Sequence, residues 1–497
     1  MYFNLYFCGS IFIVTNKIAS RLLYYPPAIF QAIPPDPCPF ETQRTKSLML
    51  IGIHKKRIQF FVFSGFTGLL LLALKSNAQQ NGPDSLLQSA TLQNVIGYTL
   101  KHQPAVQQSL IDEKITGLQV KSKLSDWYPQ VNFNYLYQRN FQVQTSIIGG
   151  NPVKLGVNNT SALQFSATQS IFNRDVLIAN RTKNDVRHQA FQQTVNTRID
   201  AIVAVSKAFY DLLATEQQIK VVNENIVRIE RSLKDARAQY DAGVVDKTDY
   251  KRATIALNNA IATQKANQEA LKAKNEYLKA LMNYPQTASL DIIYDSTTLE
   301  KEIVLDTLQN IDYSKRIEYQ LLQTQRKLQE ANVLYNKWSY IPSLSANGAY
   351  NLNYLNNNFG KLYNQSFPNS YAGLTFSFPI FQGGKRKYDT QQAEWELKRT
   401  DLDLVNLRNS VNSEYTSALS DYKASLSNYQ AIKENVMLAQ EVYDVIQLQY
   451  HSGVKTYLEV VTAETDLRSS QINYFNALYQ VLSSKIDVQK SLGEINP

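Results

Sequence analysis

QYDAGVVDKTDY (residues 239–250) and QYHSGVKTYLEV (residues 449–460) lie 210 positions apart and share the signature Gln-Tyr-x-x-Gly-Val. Each closes a long run without a helix breaker: Asp175 to Ala242 is 68 residues with no Gly or Pro, and Arg386 to Ser452 is 67. At 1.5 Å per residue such a helix extends about 100 Å, whereas an average globular helix has about three turns. Gly243 and Gly453 suit the left-handed position that ends a helix, and the valines that follow, Val244 and Val454, are expected to pack back on the last turn. Return helices are expected over about 246–283 and 455–492; in the second, Ile472, Phe475, Leu478, Leu482 and Ile486 step by three and four. Each signature therefore marks the tip of a helical hairpin. An ordinary C-cap explains either glycine alone, but not the repetition of the whole tip.

Upstream of each long helix the same order of elements recurs. A helix, 91–127 or about 311–339, ends in aromatic residues and a proline, Trp127-Tyr128-Pro129 and Trp338-Ser339-Tyr340-Ile341-Pro342. Alternation follows: in VNFNYLYQRNFQV (131–143), Val131, Phe133, Tyr135, Tyr137, Phe141 and Val143 share one face, and Asn132, Asn134, Gln138, Asn140 and Gln142 the other. LQFSATQSIF (163–172), LSANGAYNLNY (344–354) and LTFSFPIF (374–381) continue the pattern, although Gly348 falls on the apolar face of the third. The Asn- and Gly-rich stretches 145–160 and 357–369 read as surface loops. Each half thus supplies one strand hairpin, giving a first repeat over 79–283, a linker over 284–310 and a second repeat over 311–497.

The N-terminus changes how charge and cysteine are read. His54-Lys55-Lys56-Arg57, the apolar run 58–74 and Ser76-Asn77-Ala78 form the basic, apolar and small-x-small order of a secretory signal. Met49 would start a signal peptide of ordinary proportions (49–78), leaving 1–48 as a non-native upstream extension; a retained inner-membrane anchor is the alternative. Cutting after Ala78 removes eight of 51 Lys/Arg and two of 42 Asp/Glu, which reduces the net charge from +9 to about +3. The basic balance then offers no argument for nucleic-acid binding. Both cysteines, Cys8 and Cys38, are removed as well, so no disulfide, thiol chemistry or lipidation cysteine is expected in the mature chain.

Four strands of about ten residues, one face greasy and one wet, entered through Trp and Tyr, have the pattern of an outer-membrane barrel. Four strands cannot close, and open edges are not tolerated in lipid. Copies must share one barrel; the polar inner face favours a wide lumen and hence three or more chains. The aromatics Trp127, Tyr128, Trp338 and Tyr340 are expected at the membrane interface.

Together with TLQNVIGYTLKHQPAV (91–106), FPIFQGGKRK (378–387) and the paired tips, this order of elements resembles the TolC family of outer-membrane efflux ducts over about residues 91–495. The resemblance implies a mainly α chain with transmembrane β: duplicated long hairpins forming a periplasmic tunnel, and four strands per chain in a shared trimeric barrel. It further implies a passive exit duct of a tripartite efflux or type I secretion system, with 284–310 at the equator. The implied partners are two more copies of the chain, a periplasmic adaptor protein, an energised inner-membrane transporter and outer-membrane lipid. By the same resemblance Asp249 is the latch carboxylate of a gate, Tyr450 and Lys455 its partners, and Glu459 the first carboxylate of a pore ring. The chain departs from the best-known member in having Lys455 for arginine and Thr462 for the second ring acid, with Glu464 nearby but out of register.

Taken singly, any of these acids also suits the solvated face of a coiled coil. His102, His188 and His451 are far apart, and no zinc-protease, nucleophile-elbow or nucleotide-loop motif occurs, so neither an enzyme nor a cofactor is expected. The rival reading is a non-conducting periplasmic or surface coiled-coil spacer or adhesin, whose strands would form a small soluble sheet. N-terminal sequencing of the membrane-extracted protein should begin near Gln79; peptides from residues 1–48 would reject the start at Met49.

Overall fold

The computed structural model describes residues 86, 87, 89–294 and 296–497. The expected extension 1–48, the signal peptide 49–78 and the two cysteines lie outside the described residues. The first half runs through α1 (Leu92–His102), α2 (Pro104–Ser125), β1 (Gln130–Arg139), β2 (Thr145–Ile148), β3 (Asn151–Lys154), β4 (Asn159–Phe172), α3 (Arg174–Asp241) and α4 (Lys247–Met282). A short helix, α5 (Ser296–Glu302), precedes the second half: α6 (Ile317–Lys337), β5 (Ser343–Asn356), β6 (Ser366–Ser377), α7 (Lys385–His451) and α8 (Tyr457–Leu492).

The helix expected over 91–127 is two helices. Pro104 lacks the N–H that would continue the ladder and forces Gln103 into an extended conformation (φ −63°, ψ 126°), so α1 stops and Pro104 opens α2. The long helices need no such correction: α3 has 68 residues and α7 has 67, each followed by a 36-residue partner packed against it. Side chains cap several starts, as where Asn173 accepts the N–H of Asp175 before α3 and Asp246 that of Thr248 before α4.

The strands form one antiparallel sheet in the order β1-β4-β5-β6, so β1 and β6 are its edges and β4–β5 joins the two halves. Three boundaries differ from expectation. Phe141 and Val143 lie beyond β1, because the chain turns away at Asn140. The loop 145–160 holds a small hairpin, β2–β3, reversed by Gly149 and Gly150 at φ 61° and 84°. And β6 begins at Ser366 and ends at Ser377, just before Phe378-Pro379. Gly348 is what admits β5 to the sheet interior: a Cβ there would lie 3.3 Å from the carbonyl oxygen of Tyr371 on β6.

The core gathers where α1, α3, α4, α7 and α8 converge on segment 284–305, around Val95, Phe209, Leu212, Leu278, Tyr422 and Val481. Burying each large apolar side chain there contributes about 1.5–3 kcal/mol. Among the described residues no helix is long and apolar enough to cross a membrane.

Gly493 ends α8 at φ 71°, with a would-be Cβ only 2.8 Å from the Lys315 carbonyl oxygen, while Gly243 (φ 74°) has open space around it. Gly243→Ala should cost about 1 kcal/mol for the left-handed backbone, and Gly493→Ala about 1–3 kcal/mol more for the clash. Thermal unfolding in detergent compares them, and equal midpoints would sink the packing argument.

Candidate functional site

The two tips are built alike. At the end of α3 the Gly243 N–H donates to the Tyr240 carbonyl and the Val244 N–H to the Gln239 carbonyl, both at 2.9 Å; at the end of α7 Gly453 donates to Tyr450 and Val454 to Gln449, again at 2.9 Å. This pair of bonds is the Schellman closure of a helix. The repeated Gln, Tyr, Gly and Val thus supply the backbone acceptors and donors of one turn, with glycine taking the left-handed conformation (φ 74° and 75°). The valine side chains do not pack back as expected. Val244 is 73% exposed and Val454 71%, because the closure uses their N–H groups and leaves their side chains pointing away from the helix end.

The site residues fall into two groups. Tyr450 donates its hydroxyl to the Gln239 side chain at 3.2 Å, tying the second tip to the first. Burial raises the pKa of this phenol, and the negative charges of Asp249 and Asp235 raise it further; Asp249 is therefore an electrostatic neighbour of Tyr450 and, less directly, of Tyr457. Lys455 donates instead to Glu459, at 2.6 Å. The Glu459 carboxylate also accepts the backbone N–H of Thr456 at 2.9 Å and its hydroxyl at 3.0 Å, closing the first turn of α8. Lys455, then the Thr456 N–H, hold this carboxyl down to about 2. Among the described residues of one chain, then, Lys455 is paired with Glu459 and not with Asp249. His451 is exposed in the last turn of α7, where a cation suits the helix dipole.

A third group sits deeper. Glu464, 4% exposed, accepts a hydrogen bond from Asn225 at 2.9 Å and lies 3.5 Å from the Arg228 guanidinium, which lies 5.9 Å from the centre of the Tyr443 ring. Burial pushes the Glu464 carboxyl up, against the pull of Arg228, Arg468 and Asn225. Beside it opens a cavity of about 530 Å³ between α3, α4 and α8, with Arg252 and Arg468 on its wall. The sequence reading passed over this clamp, although the signal was present: Glu464 follows Val460 by four and precedes Leu467 by three, on the buried stripe of α8.

Two long helices with matching tips and an antiparallel four-stranded sheet at their far end are similar to known proteins. The sequence pattern of the family described as outer membrane efflux protein matches residues 95–284 and 319–494, well over half of the chain. The chain belongs to this family, the TolC family. It is 22% identical over 453 residues to the outer membrane protein TolC of Escherichia coli, covering 86% of this chain and 87% of that one. Its fold is similar to the crystal structure of VceC from Vibrio cholerae (TM-score 0.64, 14% identity, 81% of this chain and 96% of that one). It is similar also to the open state of the MtrE outer membrane channel of Neisseria gonorrhoeae (TM-score 0.65, 17% identity, 81% and 88%). This TolC-family chain is a protein of the outer membrane that extends into the periplasm.

The four aromatics expected at the interface flank the sheet: Trp127, Tyr128 and Tyr340 are exposed and Trp338 is half-buried, with Arg386 stacked 4.9 Å over Tyr340. The clamp yields a test. Glu464→Ala strands a largely buried arginine and should destabilise by about 3 kcal/mol, the low end for a broken buried pair because Arg228 keeps some solvent contact. A carboxyl raised by folding contributes stability in full below its ordinary 4.5 and loses it as pH climbs through the raised value. Glu464→Gln, always neutral, should flatten that stretch of the stability–pH profile in detergent; an unchanged profile would assign the dependence elsewhere.

Proposed function

We propose that three copies of this chain share one twelve-stranded barrel, continued by an α-helical tunnel, and that the assembly is a passive exit duct for an efflux or secretion system. In this reading a periplasmic adaptor opens the tips and an energised inner-membrane transporter supplies the driving force. The sheet carries the proposal. Its apolar face is bare, with Val131 71% and Leu374 70% exposed and Phe133 and Phe376 beside them. Among the described residues, the outer edges of its two edge strands, β1 and β6, have no strand partner. Bare apolar surface with open edges is stable in lipid only when further strands close the sheet. A soluble spacer or adhesin would instead cover that face with a helix, so this rival is the weaker reading.

Closure by copies preserves the strand pattern: β6 of one chain set against β1 of the next extends the same antiparallel alternation. The tips then gather around one axis. Asp249, Tyr450 and Lys455 act there as latch residues and Glu459 as the pore-ring carboxylate, while the exposed Val244 and Val454 offer the adaptor apolar contact. Lys455 already neutralises Glu459 in one chain, so in this gate the lysine is shared between holding the ring carboxylate and holding the latch.

Mass measurement in detergent, corrected for the micelle, should give three chains, and the same material should conduct in a planar bilayer. A stable monomer with full strand content and no conductance would reject the duct. Lys455→Glu places two carboxylates one helical turn apart at the tip and should raise the open fraction several-fold across three copies, while Glu459→Gln should lower cation preference without altering assembly. Unchanged conductance in a properly assembled Lys455→Glu protein would return both residues to the status of solvated helix positions.

A further inference from the structure

A cleft of about 800 Å³ opens between α3, α8 and the short helix α5. Small-molecule sites typically enclose about 300–1,000 Å³, so it has room for a body of fused rings. Tyr210, Tyr294, Tyr474, Phe475 and Tyr479 line it, and the buried Leu213, Leu299 and Leu478 complete its apolar wall. Three of the phenols are already fixed at their polar ends: Tyr210 donates to Glu302 at 2.9 Å, Tyr474 donates to Glu300 at 2.6 Å, and Tyr294 accepts from Lys220 at 3.0 Å. What these rings leave for the cleft is carbon surface, which suits a flat aromatic body.

The polar groups decide which head such a body carries. Glu300 is the carboxylate on the wall, and both of its oxygens are in use. One accepts from Tyr474 and, at 3.2 Å, from Tyr429, and the other accepts from Lys433 at 2.9 Å. A cationic ligand would have to compete with Lys433 for it. Donors, by contrast, are in surplus. The side-chain nitrogen of Gln217 is buried in the wall and has no acceptor among the described residues. A buried donor left unmet costs free energy, and an acceptor on a ligand removes that cost. Positive charge stands nearby on Lys301, also on the wall, and on Lys220, three residues beyond Gln217 and held at Tyr294. Glu216 is not among the lining residues, and burial shifts its carboxyl toward the neutral form.

We propose that this cleft is a binding site for a flat aromatic carboxylate, with its rings against the tyrosine-lined wall and its carboxylate on the Gln217 amide, in the field of Lys301 and Lys220. Such a ligand touches α3, α5 and α8 together, so its binding stabilises the chain by mass action. The site stands whether or not the assembly conducts.

The test is calorimetric titration of the full chain in lipid nanodiscs, with empty nanodiscs correcting for partition into lipid. Three probes of one ring system are compared: naphthoate, naphthylmethanol and naphthylmethylammonium. Naphthoate should bind saturably at one site per chain, several-fold more tightly than the alcohol, with the ammonium weakest. Gln217→Leu removes the unmet donor; it should leave the ligand-free unfolding midpoint unchanged or higher and weaken naphthoate about tenfold. Lys301→Gln should weaken naphthoate by about threefold and leave the alcohol unchanged. Absence of saturable heat, an ammonium bound as tightly as the carboxylate, or full naphthoate affinity in Gln217→Leu would overturn the site. Binding confined to chains dissociated from their assembly would assign the cleft to a contact between copies and overturn it as well.

Discussion

The backbone edges of the sheet constrain everything else in this molecule. Each edge strand, β1 and β6, has its N–H and C=O groups paired on one side only, and in hydrocarbon an unpaired group costs several kcal/mol. An even number of strands lets identical copies meet edge to edge in antiparallel order. It also fixes where the helices go. Because β1–β4 and β5–β6 are both antiparallel pairs, the chain enters and leaves the sheet at the same end twice, at Gln130 and Phe172 and again at Ser343 and Ser377. All the long helices therefore depart from one side of the sheet.

Two hairpins that leave a common sheet still need lateral ties, and the chain supplies them along the α3–α8 seam. Asp200 meets Lys490, Lys207 meets Asp487, Gln218 meets Asn476 and Asn225 meets Glu464, while at the tip Gln239 of α3 meets Tyr450 of α7. Most are half-exposed pairs of small individual worth; the Glu464 clamp, out of water, is the strongest tie close to the tips. Segment 284–310 is held differently. It has little regular structure, and its groups are met by tyrosine hydroxyls: Tyr422 donates to the carbonyl of Ile303, Tyr415 to that of Gln309, Tyr210 to Glu302, and both Tyr429 and Tyr474 to Glu300. A tyrosine buries a large ring and keeps one polar end for a partner, which suits these five tyrosines to holding the segment.

How much of this could be read beforehand depended on whether the signal was local. The long helices were legible nearly to the residue, since 68 positions without a breaker and a glycine-valine stop admit few other structures. Strand faces were legible from alternation, but strand ends were not: β6 starts eight residues before its expected first residue because pairing with β5, not its own composition, holds Ser366–Gly373 extended. Gly348 counted against β5 in the sequence and suits it in the sheet, where a Cβ would crowd the Tyr371 carbonyl oxygen at 3.3 Å. At the tips the closure could be foreseen from four residues. The partners of Lys455 and Glu464 could not, because Glu459 competes locally for the lysine and Asn225 and Arg228 lie on a helix more than 230 positions away.

In the duct reading, charge and apolar surface are distributed so that conduction and control would occupy different parts of the chain. The strands carry a single charged side chain among their neutral amides and hydroxyls, whereas ionic contacts line the helices down to Lys455 and Glu459. In that reading a closed tip held by a few exposed pairs would be only shallowly stable, and a partner would shift it only through contacts that differ between the closed and open forms. Val244 and Val454 meet that requirement. Their N–H groups close the helix ends, while their side chains stay exposed and would gain free energy of burial only when another surface covers them. In that reading the tip responds to docking while the deeper Glu464 clamp holds α8 to α3.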